Sequence, residues 1–360
     1  MRLFTRVDRY IIYKFLGTFF FSIVLILSIA IVFDLTEKMD DFFDSNAPLN
    51  AILFDYYLNF IPYYMNMFAP LFIFISVIFF TSKLATNSEI IAMLAGGISF
   101  RRLMFPYFFS ALVLAVGSFY LGGYVIPPAS KGLLDFENEY IRKFKSNHAR
   151  NVQMEVEPGV ILYIESYQIN TNRGYRFSLE KFEGKSLVSR LTAERIRWDS
   201  AYHWIAEDYL QRDFEGMREH ITRGERLDTT ITVMPSEFFI TAEEAAQMTN
   251  PELANYLKKQ GERGIGNIQA FKNEYYKRFA SPIAAFIMTL IGVSLSSRKV
   301  RGGMGLHLGV GIALSAIYIL FSTVSTSFSV NGVMSPFLAV WLPNFVFLAI
   351  GIFLYLRTPK

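Results

Sequence analysis

Six apolar blocks, at about 11–33, 56–80, 103–126, 279–297, 304–328 and 334–356, constrain this chain more than any other feature. Each is roughly 19–25 residues long, enough helix at about 1.5 Å per residue to cross a hydrocarbon core of about 30 Å. A water-soluble core has no need of such runs. Composition points the same way. Hydrophobic residues make up 52% of the chain and aromatics 16%, while only 18% are charged; soluble proteins carry roughly a quarter charged residues. The first block follows Arg2, Arg6 and Arg9, in outline like a signal peptide. Its apolar stretch is too long for a signal h-region and no small-residue cleavage pattern follows, so a retained helix is expected.

Lysine and arginine in short loops set the expected orientation. Arg2, Arg6, Arg9, Lys14, Lys83, Arg101, Arg102, Arg298, Lys299, Arg301, Arg357 and Lys360 fall on one side. On the other side, the short loops at 34–50 and 329–333 contribute only Lys38. Both termini are therefore expected in the cytoplasm. The segment after the third block then lies outside, in the periplasm of a two-membrane bacterium.

That segment, about 127–278, is long enough for a core of its own. Val152, Met154 and Val156 alternate with polar residues, as do Tyr175, Phe177 and Leu179, and then Thr229, Ile231 and Val233. Turn residues separate them at Pro158-Gly159, Asn172-Arg173-Gly174, Glu183-Gly184 and Arg223-Gly224. Many short strands with regular turns predict a sandwich or jelly roll. A helix is expected from Thr249-Asn250-Pro251. The expected division is 1–126 for three membrane helices, 127–267 for a periplasmic β-jelly roll with a linker helix, and 268–360 for three more membrane helices.

Several chemistries are excluded or unsupported. Without cysteine there can be no disulfide, thiol nucleophile or thiolate-bound metal. His148, His203, His220 and His307 lack zinc-motif spacing. The middle segment mixes both signs of charge without a basic stripe, which argues against nucleic acid. A phosphate-cradling loop needs Gly-x4-Gly-Lys-Ser/Thr; Gly261-Glu-Arg-Gly-Ile-Gly266 lacks the last two residues and reads as a linker. An ion-driven carrier holds carboxylates near the bilayer midplane, where a charge costs roughly 2.5–3.5 kcal/mol. The six blocks contain no acid, and Lys14 lies near the edge of the first. No catalytic group, cofactor or metal is expected. Energy for any transport would come from a partner.

The strongest local signal lies between the second and third blocks, at residues 86–102. Asn87 or Ser88 can cap a helix, Glu89 sits in its first turn near the positive dipole end, and Gly96-Gly97 ends it. Ile90, Met93 and Leu94 form an apolar face at helical spacing. Such a helix either lies flat on lipid or docks into a partner's groove.

The run Asn-Ser-Glu-Ile-Ile-Ala-Met-Leu-Ala-Gly-Gly-Ile-Ser, 87–99, resembles the coupling helix of the lipopolysaccharide-export permease family. The resemblance extends to Ile61-Pro62, Ala69-Pro70-Leu71, Pro106, Lys277-Arg278-Phe-Ala-Ser-Pro282, Leu290-Ile-Gly-Val-Ser-Leu295, Arg301-Gly-Gly303 and Trp341-Leu-Pro-Asn344. It implies three helices, a periplasmic β-jelly roll and three helices. It also implies a heterodimer with a paralogous permease subunit on a cytoplasmic ABC ATPase dimer in the inner membrane. Lipopolysaccharide would be extracted and passed to periplasmic jelly-roll bridge proteins.

Carried onto this chain, Glu89 is the acid expected to pair with a basic residue of the ATPase, with Ser88, Ala92 and Gly97 shaping the docking face. Helices one and five would line lateral gates. Gly305 and Gly309 in helix five have a small-xxx-small spacing that permits either close approach of another helix or ordinary packing within the chain. In one subunit of the family, basic residues at the outer end of helix one contact lipid phosphates. Here Asp34-Leu-Thr-Glu37-Lys38-Met-Asp40-Asp41-Phe-Phe-Asp44 is acidic, and only Lys38 could serve. It reads as a solvated loop, or as acids that bind divalent cations bridging to phosphate. Lys131, Arg142 and Lys143 are alternative headgroup contacts. Two rivals remain: a permease for another lipid, and a non-transporting membrane scaffold whose β domain recruits partners.

Overall fold

A computed structural model describes residues 5–141, 148–216, 218–235, 238, 242–262, 268–298 and 303–358. The chain forms two compact units. One comprises Met1–Ile141, Ala246–Asn250 and Lys272–Lys360; the other comprises Arg142–Ala245 and Pro251–Phe271.

The first unit holds six helices long and apolar enough to cross a membrane: α1 (Arg6–Asp44), α2 (Leu49–Thr86), α4 (Phe100–Ile141), α7 (Gln269–Ser296), α8 (Gly303–Val330) and α9 (Pro336–Leu356). The short α3 (Glu89–Ala95) joins α2 to α4. The most apolar stretches of α2 and α7 are 61% and 67% buried, those of α1 and α8 only 22%. So α2 and α7 form the centre, and α1 and α8 keep broad free faces.

Lipid tails are as apolar as leucine, so helices in a bilayer are held by close contact at small residues and by polar links. Both devices occur here. A Cβ on Gly292 of α7 would lie 2.8 Å from Val77 Cγ1 of α2, and one on Gly311 of α8 would strike Ile78. A Cβ on Gly351 of α9 would lie 3.0 Å from Leu290 Cδ2. Asn344, buried in the apolar α9, accepts from the Tyr318 hydroxyl at 2.8 Å and donates to the Ala280 carbonyl at 2.9 Å. It thereby ties α8, α9 and α7 together.

Three helices overrun their apolar blocks. α1, α2 and α4 have 39, 38 and 42 residues, about 57–63 Å of helix, roughly twice the hydrocarbon thickness. The segment Asp34–Asp44, expected as a loop, is the last part of α1. The third helix, expected to end near 126, runs to Ile141 through π-type turns at Leu121–Val125 and Glu137–Ile141. Packing explains both extensions. Phe42, Tyr56, Tyr57, Phe60 and Phe136 bury one another where the three helices meet. That gain continues the helices through sequence that hydropathy alone would end.

The second unit carries β1 (His148–Glu157), β2 (Val160–Gln168), β3 (Arg173–Glu183), β4 (Ser186–Ser200), β5 (His203–Glu215) and β6 (Arg218–Thr230). They form one antiparallel sheet in the order β1-β2-β3-β4-β5-β6. The expected jelly roll thus takes the form of an up-and-down meander among the described residues. Its connections, at 158–159, 169–172, 184–185, 201–202 and between Glu215 and Arg218, are too short for the crossovers of a Greek key. Two further helices follow, α5 (Ala242–Gln247) and α6 (Asn250–Glu262). α6 begins at the expected residue.

A crease crosses the whole sheet. Asn151, Glu165, Arg176, Glu194, Asp208 and Glu225 stand opposite one another in successive strands and are skipped by the pairing, while the register on either side is unchanged. Asn151, Arg176 and Asp208, in alternate strands, have φ of 52°, 52° and 56°. At this line each strand spends one extra residue, so the inward positions shift by one. Leu162 and Ile164 lead to Tyr167, Phe177 is preceded by Gly174, and Leu191 and Ala193 lead to Ile196, all buried in one core with Trp204. The expected alternation of Tyr175 with Phe177 therefore fails. Extra residues of this kind bend strands and re-aim side chains.

The packing at Gly292 gives a direct comparison. Gly292→Val should lower the thermal midpoint of the detergent-purified protein, as overpacking by about 1–3 kcal/mol does, because β-branched Val77 cannot yield. Gly305→Val, where a Cβ meets nothing within 4 Å, should leave the midpoint of the single chain unchanged.

Candidate coupling helix

α3 is built from both ends by backbone geometry. Ser88 enters it at φ 62° without a side-chain capping bond, and Asn87 Nδ2 donates to Glu89 Oε1 at 3.2 Å. At the far end the Ile98 N–H donates to the Met93 carbonyl at 3.1 Å and the Gly97 N–H to Leu94 at 3.0 Å. These are the paired bonds of a Schellman motif. Gly97 makes them possible with φ 87°, a conformation that suits glycine.

The expected apolar face turns inward. Ile90 is fully buried, and Met93 and Leu94 pack on the bundle core beside it. Ser88, Ile91, Ala92, Ala95, Gly96 and Gly97 form the exposed face, where Ile91 is the one large side chain. Glu89 is half-buried at the boundary, facing the Tyr10 hydroxyl of α1. The structure thus brings Ser88, Ala92 and Gly97 together at the surface, with Glu89 at their edge.

A bidentate ion pair with a buried acid fixes this corner of the bundle. Arg102, in the first turn of α4, donates to both oxygens of Asp8 at 2.8 and 2.6 Å. Asp8 is 3% exposed and also accepts from the Thr5 N–H and hydroxyl at 2.7 and 2.8 Å in a capping box. The elbow after α3 is therefore bolted to the start of α1. Sequence reasoning counted Arg102 as a loop charge and passed over Asp8. The signal was Thr5-x-x-Asp8 just ahead of an apolar run, a capping-box pattern.

The other expected residues lie apart from this corner. Gly305 and Gly309 are exposed on α8, and a Cβ on either meets nothing within 4 Å; Gly311 makes the tight contact within the chain. His307, between them in sequence, turns inward and its Nδ1 lies 3.0 Å from Ser82 Oγ. Lys38, on the α1 extension, lies 3.5 Å from Asp34 and 3.6 Å from Glu137, bonds the Tyr56 hydroxyl and sits over its ring. It braces α1, α2 and α4. Lys131 is exposed on α4. Arg142 and Lys143 lie outside the described residues.

Comparison with known families now bears on this arrangement. The family described as lipopolysaccharide export system permease LptF/LptG matches residues 9–357. The chain belongs to this family. Among curated proteins none matches it. Membership of LptF/LptG makes the chain a multi-pass transport subunit, and the match runs through α3, the sheet and all six long helices. The expectation of a helical membrane protein with an inserted β domain is met.

The Schellman end offers a test of what holds α3. Gly97→Ala should cost about 1 kcal/mol or more, since alanine resists positive φ. Amide exchange at Gly97 and Ile98 should then quicken about fivefold, while protection in α2 and α4 is kept.

Proposed function

We propose that this permease works as one half of an ATP-driven machine that draws lipopolysaccharide from the inner membrane. The observation that carries the reading is the two-sidedness of α3. Ile90, Met93 and Leu94 are committed to the bundle, so the helix moves with the bundle. Its outward face is nearly free of bulk, as a surface seated in a partner's groove would be. A helix meant to lie on lipid would turn its apolar face out.

In this reading Glu89 pairs with a basic group of a cytoplasmic ATPase dimer, which supplies the energy that the chain's own sequence gives no means to capture. Force entering at α3 passes through the Asp8–Arg102 pair into α1 and α4. α1 and α8, with the broadest free faces, form lateral gates against a paralogous subunit, and the open Gly305–Gly309 ridge is where that subunit's helix approaches closely. Lys38 is already engaged by two carboxylates, so the exposed Lys131, followed in sequence by Arg142 and Lys143, is the better headgroup contact. The termini and α3 face the cytoplasm and the sheet faces the periplasm. β1 and β6 are the sheet's edges, and β6 is exposed on both faces along most of its length. Strand addition to such an edge is how a jelly-roll bridge would receive the lipid.

One gentle purification tests the assembly, which predicts recovery of an ATPase, a paralogous permease and a bound glycolipid. Glu89→Lys should leave that assembly and its thermal midpoint intact while ATP-dependent lipopolysaccharide release in proteoliposomes falls about tenfold or more. Normal release by the variant would sink the coupling assignment, and a bound lipid of another class would sink the substrate.

A further inference from the structure

An open apolar groove of about 620 Å³ runs between α1 and α4, within the roughly 300–1,000 Å³ of small-molecule clefts. Arg9, Tyr13, Leu16, Gly17 and Phe20 of α1 line it with Phe109 of α4. Arg9, Tyr13 and Gly17 follow one another at helical spacing down one face of α1. A Cβ on Gly17 would meet nothing within 4 Å, so the floor there is open.

The groove is chemically asymmetric. Its upper end is a guanidinium and the rest is apolar. Arg9 is exposed and makes no ion pair among the described residues, whereas the nearby Arg102 is consumed by Asp8. On α4, Arg101 is exposed on the face that continues through Phe105 to Phe109. Both cations stand at the end of the bundle that carries the basic loops.

Length decides between occupants. From Arg9 to Phe20 the groove covers about 16 Å of helix, close to one leaflet, half of a hydrocarbon core of about 30 Å. A partner helix would cross both leaflets and need about twice that. The groove also opens on the α4 side of α1, away from the flank where Tyr10 meets Phe80 of α2 edge-on. Basic pockets between membrane helices on the cytoplasmic side suit acidic lipid headgroups.

We infer that this groove binds one anionic phospholipid of the leaflet next to the α1 start. Its phosphate sits on Arg9, and an acyl chain lies along Tyr13, Gly17 and Phe20 against Phe109. The inference stands apart from the transport reading, since it needs only the bilayer and these side chains. The lipid fills the wedge between two helices joined at their ends by the Asp8–Arg102 pair and steadies the corner from which α3 projects.

The test uses the purified full chain, reconstituted in phosphatidylcholine vesicles with an equal share of brominated phosphatidylglycerol or brominated phosphatidylcholine. Tyr13 is 77% exposed, so Tyr13→Trp places a reporter in the groove without touching the core. The protein lacking it gives the background of Trp198, Trp204 and Trp341. The reporter should be quenched by the anionic lipid with about fivefold preference, as one basic side chain at an anionic surface confers. Arg9→Gln should abolish the preference, and Lys14→Gln, exposed on the same helix but outside the groove, should keep it. Phosphatidylglycerol retained through purification, measured by mass spectrometry on the chain with native Tyr13, should fall with Arg9→Gln. Equal quenching by both lipids, or a preference that survives Arg9→Gln, overturns the inference. Absence of quenching by either lipid also overturns it and gives the groove to a protein neighbour.

Discussion

The contact of α2 with α7 and α8 holds the membrane unit together. In a bilayer no hydrophobic drive gathers helices that are already in an apolar medium. What gathers them is dispersion at close range, which falls away within an ångström of a gap. Gly292 and Gly311 bring two backbones against Val77 and Ile78, and this contact makes α2 the axis around which the other helices are placed. Asn344 adds a polar link where alternatives to a hydrogen bond are costly. The peripheral standing of α1 and α8 follows. They pack on the axis by one face and leave the other open.

The corner where α3 meets the starts of α1 and α4 shows how rigidity and access are divided. Asp8 is enclosed and the Arg102 fork grips both of its oxygens, a bidentate geometry that fixes the angle between the two helices, so Asp8 and Arg102 form a fixed joint. α3 leans on that joint through Ile90, Met93 and Leu94. The surface it offers outward is small-residue backbone and Ile91, cheap to cover and uncover. Its shape comes from Gly97 and Ser88 in conformations that side chains resist, so its outward face and its turn geometry share the same residues.

Much of this was legible in the sequence, for identifiable reasons. A bilayer demands long apolar blocks, so the six spans could be placed from hydropathy alone. Where α1 and α4 end could not, because Phe42 and Phe136 settle that by meeting each other, and such meetings leave no local periodicity. Glu89 and the glycines after it stood out as cap chemistry. The inward direction of Ile90 was hidden, since an amphipathic pattern says which residues share a face and not what the face meets. Asp8 was readable in its capping box, but its pairing with a residue far along the chain was not. In the sheet, the period of two was visible on each side of the crease and misleading across it. Nothing in Tyr175, Arg176 and Phe177 announces that the middle residue is surplus to the alternation.

That surplus residue has a further consequence. Six strands each carry one, at the same level, so the sheet has a built-in ruler mark perpendicular to its strands. A seventh strand joining at β6 or β1 could keep its apolar side inward along its whole length only by supplying its own surplus residue beside Glu225 or Asn151. A strand without one, or with one a step out of place, would turn half of its side chains to the wrong face. The crease is thus a phase mark that runs to both edges, and a sheet extended through either edge would have to keep step with it to continue the same core.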